Sequence, residues 1–133
     1  MVLKSDSSLM VNRKPFFIPD WCEDIRCVPC VVVRICKLGK HVATKFAERY
    51  YDSIAPALNI YAEDYRQKGD PIRAWAFDNA LPVGTFMSLD KYHPNDLIIS
   101  IDRAVTEVSR LMTIRQGDLI FIERQISSQP LVR

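Results

Sequence analysis

Apolar residues in this chain occur in short runs that predict strands. The densest β-branched run, residues 31–35, predicts a buried strand, because branched side chains pack well on a pleated surface. Three other runs are apolar enough for strands, namely residues 53–61, 81–87 and 119–122. Pro56 weakens the first of these, since proline donates no ladder hydrogen bond. Residues 16–18 lie between two prolines and predict a connector or sheet edge, anchored by Phe16 or Phe17.

Apolar stripes with helical spacing predict three helices. The first covers residues 41–51, with Val42, Phe46 and Tyr50 at steps of four. A second, of one or two turns, covers residues 62–68 and ends at the Gly-Asp-Pro of residues 69–71. The clearest begins after Ser100 as N-cap and carries a stripe formed by Ile101, Val105, Val108 and Met112. Strands and short helices in mixed order, with few β-α-β units, predict an α+β or mostly β domain.

Composition restricts the function classes. A chain of 133 residues fits a single domain spanning residues 1–133, which can bury a core without disulfides. The 18 basic and 16 acidic residues are interspersed, so we expect no nucleic-acid surface. No apolar run has the length of a membrane span, and the N-terminus lacks a secretion signal. These features predict a cytoplasmic protein, where thiols stay reduced.

The four cysteines form the most conspicuous chemical pattern. Cys22, Cys27 and Cys30, with Cys36 further along, have spacings at which thiolates can ligate zinc or a cluster. The second pair typical of a structural zinc site is absent, and strand periodicity places Cys27 and Cys30 on opposite faces. We therefore favour cysteines that are small buried apolar residues or incidental thiols, and keep a thiol-based metal or redox protein as an alternative.

Several segments together resemble the fumarylacetoacetate hydrolase family, particularly its small bacterial acylpyruvate-hydrolase-like members. The matching pieces occur in family order: KPFFIPD (14–20), VVRICKLGKH (32–41), FAERYYD (46–52), AFD (76–78) with PVG (82–84), VSRLMT (108–113) and GDLIF (117–121). The resemblance implies a mixed β roll with peripheral helices, usually dimeric. It also implies enzymes that cleave, decarboxylate or isomerise oxo acids around Mg²⁺ or another divalent cation.

The family's metal ligands are replaced in this sequence. Its Glu-x-Glu pair falls on Val28 and Cys30, and its third carboxylate, an aspartate, falls on Asn59. Because hard cations need oxygen ligands, with anionic ones supplying the affinity, these replacements should abolish the site. We therefore expect no metal cofactor.

Other family positions also differ. The lysine before Ala-Phe-Asp falls on Trp75, and the Thr-Gly-Thr that holds the substrate acid falls on Ile122, Glu123 and Arg124. The family's N-terminal segment with a catalytic histidine, a hairpin before the last helix and the final strands have no counterpart. The sequence therefore predicts a β roll that is incomplete at both ends.

These observations lead to three hypotheses. The first is a degenerate relative without metal or turnover, serving as a structural or regulatory partner in a homo-oligomer or with a complete paralogue, since missing strands expose sheet edges. The second is an active metal-dependent hydrolase or lyase of oxo acids, rebuilt from Glu63, Asp64, Asp118 or Glu123. The third is the thiol-based protein. The first accounts best for the lost ligands.

Overall fold

The structure, a computed structural model, describes residues 1–11 and 14–132. Strands within this part of the chain are β1 (Leu9–Met10), β2 (Ile25–Ile35), β3 (Tyr51–Ala62), β4 (Leu81–Pro82), β5 (Leu119–Glu123) and β6 (Gln129–Pro130). The α-helices are α1 (Glu63–Gln67), α2 (Pro71–Trp75) and α3 (Ile101–Leu111), and 3₁₀ helices cover Asp6–Ser8 and Thr44–Tyr50. No helix in the described residues is both long and apolar enough to span a membrane.

The strands form two sheets of mixed character. The larger has the order β3-β2-β5, with β6 also pairing with β2, while β1 and β4 form a small parallel pair. Antiparallel pairing of β2 with β5 places Val31 opposite Ile122 and Val33 opposite Ile120. Mixed sheets with a few helices confirm the predicted α+β class.

Two compact units can be distinguished in the chain. Unit 1 comprises Met1–Pro29, Ala57–Gly84 and Ile126–Arg133, and unit 2 comprises Cys30–Pro56 and Thr85–Gln125. Both long strands therefore contribute residues to both units. That residues 1–133 form one domain stays a prediction.

Unit 2 is built around the predicted β-branched strand and the predicted amphipathic helix. Its buried core consists of Val31, Val33, Ile35, Val42, Ala47, Ile54, Ile101, Ala104, Val105, Ile114, Ile120 and Ile122. Ser100 caps α3 as predicted, since its Oγ accepts from the backbone N–H of Arg103 at 3.2 Å. The predicted apolar stripe of α3 extends one residue too far at the C-terminal end. Met112 is the C-cap residue, lies outside the helix and is exposed.

Unit 1 has a smaller core, to which β2 contributes Ile25. Its buried members are Cys22, Ile25, Ile60 and Ala62. Phe16 packs against this cluster, whereas Phe17 is 80% exposed, so Phe16 is the anchor of the predicted connector.

The helix predicted over residues 41–51 is shorter and of a different type. The structure has a 3₁₀ helix over Thr44–Tyr50, with three residues per turn. Spacings of four then no longer share a face, which explains why Phe46 is exposed while Ala47 is buried. The segment before it is not helical, because His41 has a φ of 51° and Ala43 is extended.

Two further elements differ from prediction. The strand predicted at residues 81–87 is reduced to β4, with isolated bridges joining Val83 to Ala57 and Met87 to Ile54. Helix α2 was missed, although its start signals are present in the sequence. Asp70 accepts a hydrogen bond from the backbone N–H of Arg73, and Pro71 occupies the first helical position, where its missing N–H is harmless.

Candidate functional site

The three positions that correspond to the family's metal ligands are all buried. Val28 and Cys30 lie on β2 with 7% and 1% of their surface exposed, and Asn59 lies on β3 with 1% exposed. Valine offers no donor atom, the cysteine thiol is a soft ligand, and the amide is neutral, so none supplies a carboxylate for a hard cation. In residues 1–11 and 14–132, no cluster of three histidine, cysteine or acidic side chains is arranged to hold a metal.

The position of the family's lysine carries an aromatic stack. Trp75, the last residue of α2, packs on Tyr61 of β3 with ring centroids 4.8 Å apart and an interplanar angle of 27°. This geometry is an offset stack that favours apolar burial. Trp75 therefore serves packing within unit 1.

A lysine that sequence reasoning missed lies beside this stack. Lys4 Nζ donates to the backbone oxygens of Ile60 at 2.8 Å, Trp75 at 3.0 Å and Ala80 at 3.0 Å. An ammonium has three N–H donors, and these three carbonyls can accept all of them. Lys4 thus ties the N-terminal segment to β3 and to the residues around α2, and no local sequence signal indicates this because its partners are distant in sequence.

The residues at the family's Thr-Gly-Thr have structural partners in unit 2. Ile122 belongs to the buried core, and Glu123, half-buried, lies opposite Cys30 in the β2–β5 register. Arg124 donates to both carboxylate oxygens of Asp96 over distances of 2.8 to 3.1 Å, and these hydrogen bonds lower the pKa of Asp96. At the positions predicted to correspond to the family's Thr-Gly-Thr, the segment therefore has a branched apolar residue and an arginine paired with an aspartate.

Glu63, the first residue of α1, is a buried carboxylate with its own counter-ion. Its oxygens accept from Arg66 Nε at 2.6 Å and Nη2 at 2.5 Å, and from Gln67 Nε2 at 3.2 Å. These hydrogen bonds, led by those from Arg66, lower the pKa of Glu63 to about 2. A carboxylate held in this way is ionised but already occupied by a guanidinium.

The other acidic candidates also have local partners. Asp64 Oδ2 accepts from the backbone N–H of Glu23 at 3.0 Å, and its Oδ1 is buried without a hydrogen bond from the described residues. Asp118 is exposed, and its Oδ2 accepts from the backbone N–H of Arg115 at 2.8 Å, closing the turn before β5. Glu63 and Asp64 are thus neighbours on α1, while Asp118 is a turn residue of unit 2.

All four cysteines are free thiols. Cys22 and Cys30 are buried, and Cys27 is half-buried with its pKa raised by burial. Cys36 donates to the backbone oxygen of Arg49 at 3.7 Å.

A cleft in unit 2 contains one of the candidate cysteines, Cys36, and none of the other candidate positions. It is lined by Arg34, Ile35, Cys36, Asp52, Gln116 and Gly117. Its two charged groups face each other, with Arg34 Nε 3.4 Å from Asp52 Oδ1, and both are about half exposed. An exposed pair at this distance contributes little to stability.

Comparison with known proteins identifies the fold. No family model and no curated protein matches the sequence. Among solved structures, a fumarylpyruvate hydrolase from Pseudomonas aeruginosa, solved with Mn²⁺ and pyruvate, matches 98% of this chain with a TM-score of 0.86 and 19% identity. A 5-carboxymethyl-2-hydroxymuconate delta-isomerase from Mycobacterium smegmatis matches 96% of it with a TM-score of 0.86 and 20% identity. The chain has the fumarylacetoacetate hydrolase fold.

This fold is present over only part of the length of the matching proteins. The chain covers 68% of the Pseudomonas hydrolase and 59% of the mycobacterial isomerase. A candidate fumarylacetoacetate hydrolase family protein from Yersinia pestis matches 97% of this chain with a TM-score of 0.84 and 19% identity. The match covers 74% of the Yersinia protein. The resemblance seen in the sequence is thus confirmed at the level of the fold.

Proposed function

We propose that this chain is a protein with the fumarylacetoacetate hydrolase fold that binds no divalent cation at the family's metal position and catalyses no turnover. The observation that carries the proposal is the chemistry of Val28, Cys30 and Asn59. All three are buried and none carries a carboxylate. Mg²⁺ binds through oxygen ligands and depends on anionic ones for affinity, so this set does not suit it.

The residues at the family's substrate positions support the same proposal. Trp75 is stacked on Tyr61 instead of presenting an ammonium, and Ile122 is buried in the core of unit 2. Arg124 is engaged by Asp96 on two nitrogens. A substrate carboxylate would have to compete with Asp96 for this arginine.

We further propose a structural or regulatory role in the cytoplasm, in which the chain associates with a second copy or with a complete paralogue. The proposal of a partner follows from the loss of ligands together with the retained fold. It requires no reaction at any of the positions above.

The test combines a metal titration with a turnover screen. Purified protein is titrated with Mn²⁺ and followed by isothermal calorimetry and by electron paramagnetic resonance of free Mn²⁺. The same sample is assayed with acylpyruvates, including fumarylpyruvate, in the presence of Mg²⁺ or Mn²⁺. We expect no stoichiometric binding and no metal-dependent turnover.

The rival hypothesis, a rebuilt active site, predicts the opposite result. It requires one bound ion per chain and turnover that disappears in Asp64→Asn or Glu63→Gln. Glu107→Gln is the matched control, because Glu107 is an acidic helical residue whose nearest cation, Arg110 Nη1, is 3.4 Å away at the surface. Turnover abolished by Asp64→Asn and retained in Glu107→Gln would overturn our proposal.

A further inference from the structure

Unit 2 carries a basic surface formed by Lys37, Lys40, Lys45 and Arg49. Residues 36–49 contain these four basic residues and one acidic residue, a net charge of +3 in a chain whose total is +2. All four side chains are exposed. The even distribution of charge along the whole sequence therefore conceals a local excess.

The basic surface is held together by the packing of residues 36–39 on the 3₁₀ helix. The backbone N–H of Cys36 donates to the oxygen of Tyr50 at 2.8 Å, and Gly39 lies against the Tyr50 ring. Lys37 Nζ lies 5.3 Å from the centroid of that ring. Lys37 consequently lies beside the 3₁₀ helix that carries Lys45 and Arg49.

These cations lack acidic partners within the part of the chain that is described. Six arginines elsewhere form ion pairs with aspartate or glutamate, and none of the six pairs includes a residue of the basic surface. Lys45 Nζ and Arg49 Cζ instead lie near the ring of Phe46, at 5.0 and 4.6 Å from its centroid. Cation–π contacts fix the positions of these charges without neutralising them.

Apolar side chains accompany the unpaired charges. Leu38 is 65% exposed and Phe46 is 39% exposed. Exposed apolar residues among like charges suit a partner surface that is acidic and carries an apolar residue of its own. Phosphate backbones satisfy only the first requirement.

The chain itself presents a surface of this kind in unit 1. The acidic turn of Asp20, Trp21 and Glu23 precedes β2, and all three residues are exposed. Neither Asp20 nor Glu23 forms an ion pair with another described residue, whereas the neighbouring Asp24 is paired with Arg26. Trp21 keeps 41% of its surface exposed between two unpaired carboxylates.

We infer that the basic surface of one copy docks on the acidic turn of a second copy. This inference deepens the proposed partner role, since it names the surfaces through which copies associate. Lysine and arginine side chains meet Asp20 and Glu23, while Trp21 contacts Leu38 or Phe46. The contact is electrostatic at its rim, so it is weak and depends on salt.

A charge-exchange experiment tests the pairing directly. Sedimentation equilibrium at about 0.05 M NaCl should show reversible self-association that weakens by about tenfold or more at about 0.5 M, because screening shortens the range of the charges. Lys45→Glu/Arg49→Glu alone and Asp20→Lys/Glu23→Lys alone should each stay monomeric. An equimolar mixture of the two variants should associate again. Lys91→Glu/Arg103→Glu, at two exposed positions, changes the net charge as much as Lys45→Glu/Arg49→Glu does and should associate as the wild type does.

Several results would overturn the inference. Wild-type protein that stays monomeric at low salt would do so, and so would a mixture that fails to restore association. Protein that stays monomeric and binds vesicles of anionic lipid through the basic surface would show that the partner of this surface is a membrane and not a second copy. Circular dichroism establishes that each variant is folded, and turnover measured on the same samples keeps this test separate from that of catalytic inactivity.

Discussion

Ser109 offers the sharpest test of how unit 2 is held together. Its side chain is fully buried on α3, where Oγ accepts from the backbone N–H of Val42 at 2.9 Å and donates to the oxygen of Thr106 at 3.0 Å. Its backbone oxygen accepts from the N–H of His41 at 3.0 Å. Ser109 thereby fixes the non-helical segment that precedes the 3₁₀ helix.

Replacing Ser109 with alanine should cost more than the loss of one average hydrogen bond. A typical hydrogen bond contributes about 1 kcal/mol to the free energy of unfolding, but a buried donor left without a partner costs about 1–3 kcal/mol. Val42 is only 4% exposed, so its N–H cannot reach bulk water after the substitution. We expect Ser109→Ala to lower the free energy of unfolding by about 2 kcal/mol, and the Tm by roughly 3–5 °C per kcal/mol.

Urea unfolding followed by circular dichroism measures this change, and hydrogen exchange locates it. The Val42 amide should lose protection in Ser109→Ala beyond the global effect. Ser127→Ala is the control, because Ser127 is exposed and its side chain makes no hydrogen bond with the described residues. A loss below about 0.5 kcal/mol with an unchanged Val42 exchange rate would refute the reasoning, since it would place this change among ordinary surface substitutions.

Three other changes test separate contacts. Gly39→Ala should destabilise the protein by about 1–3 kcal/mol in urea unfolding, because the added Cβ would lie 2.6 Å from Cε1 of Tyr50; an unchanged midpoint would contradict this. Glu63 has a pKa lowered to about 2, so its ion pair with Arg66 stabilises the fold above the unfolded pKa of about 4.5 and is lost as pH falls toward 2. The difference in free energy of unfolding between wild type and Glu63→Gln should therefore shrink as the pH falls from about 4.5 toward 2. A difference that stays constant over these pH values would refute a stabilising role of the ion pair. Lys4→Met, which keeps the aliphatic stem, should lower the free energy of unfolding by about 2 kcal/mol, because three hydrogen bonds to carbonyls are lost. The control is Lys14→Met at an exposed position. Equal thermal midpoints for the two variants would show that the three hydrogen bonds contribute nothing.

The elements that sequence predicted well are those whose signals are local. The β-branched run in β2, the capped stripe of α3 and the turn at Gly117 each depend on residues close in sequence. The 3₁₀ helix was mistaken for an α-helix because Val42, Phe46 and Tyr50 imitate a four-residue spacing. Its true register depends on Ser109, more than 60 residues away, which holds Val42 by hydrogen bonding.

For the candidate site, the sequence indicated which residues to consider, and the structure showed which groups each of them contacts. The assignment of Val28, Cys30 and Asn59 to the family's metal positions stays a prediction from the resemblance, and the structure shows that each of the three is buried. The engagement of Glu63 by Arg66 was predictable in principle from their spacing of three on a helix. The three carbonyls around Lys4 were not predictable, since backbone acceptors leave no trace in side-chain patterns.

The replacements at the three metal positions are linked by the energetics of buried charge. A carboxylate in a buried position is costly unless a cation compensates it, either a bound metal or a guanidinium. This chain shows the second solution at Glu63, where Arg66 donates two hydrogen bonds to a carboxylate that is 6% exposed. At Val28, Cys30 and Asn59 the chain has side chains that need no counter-ion. On the proposal that no cation is bound at these positions, neutral residues stabilise the fold better than a buried carboxylate without a counter-ion would, so we expect the three replacements to occur together.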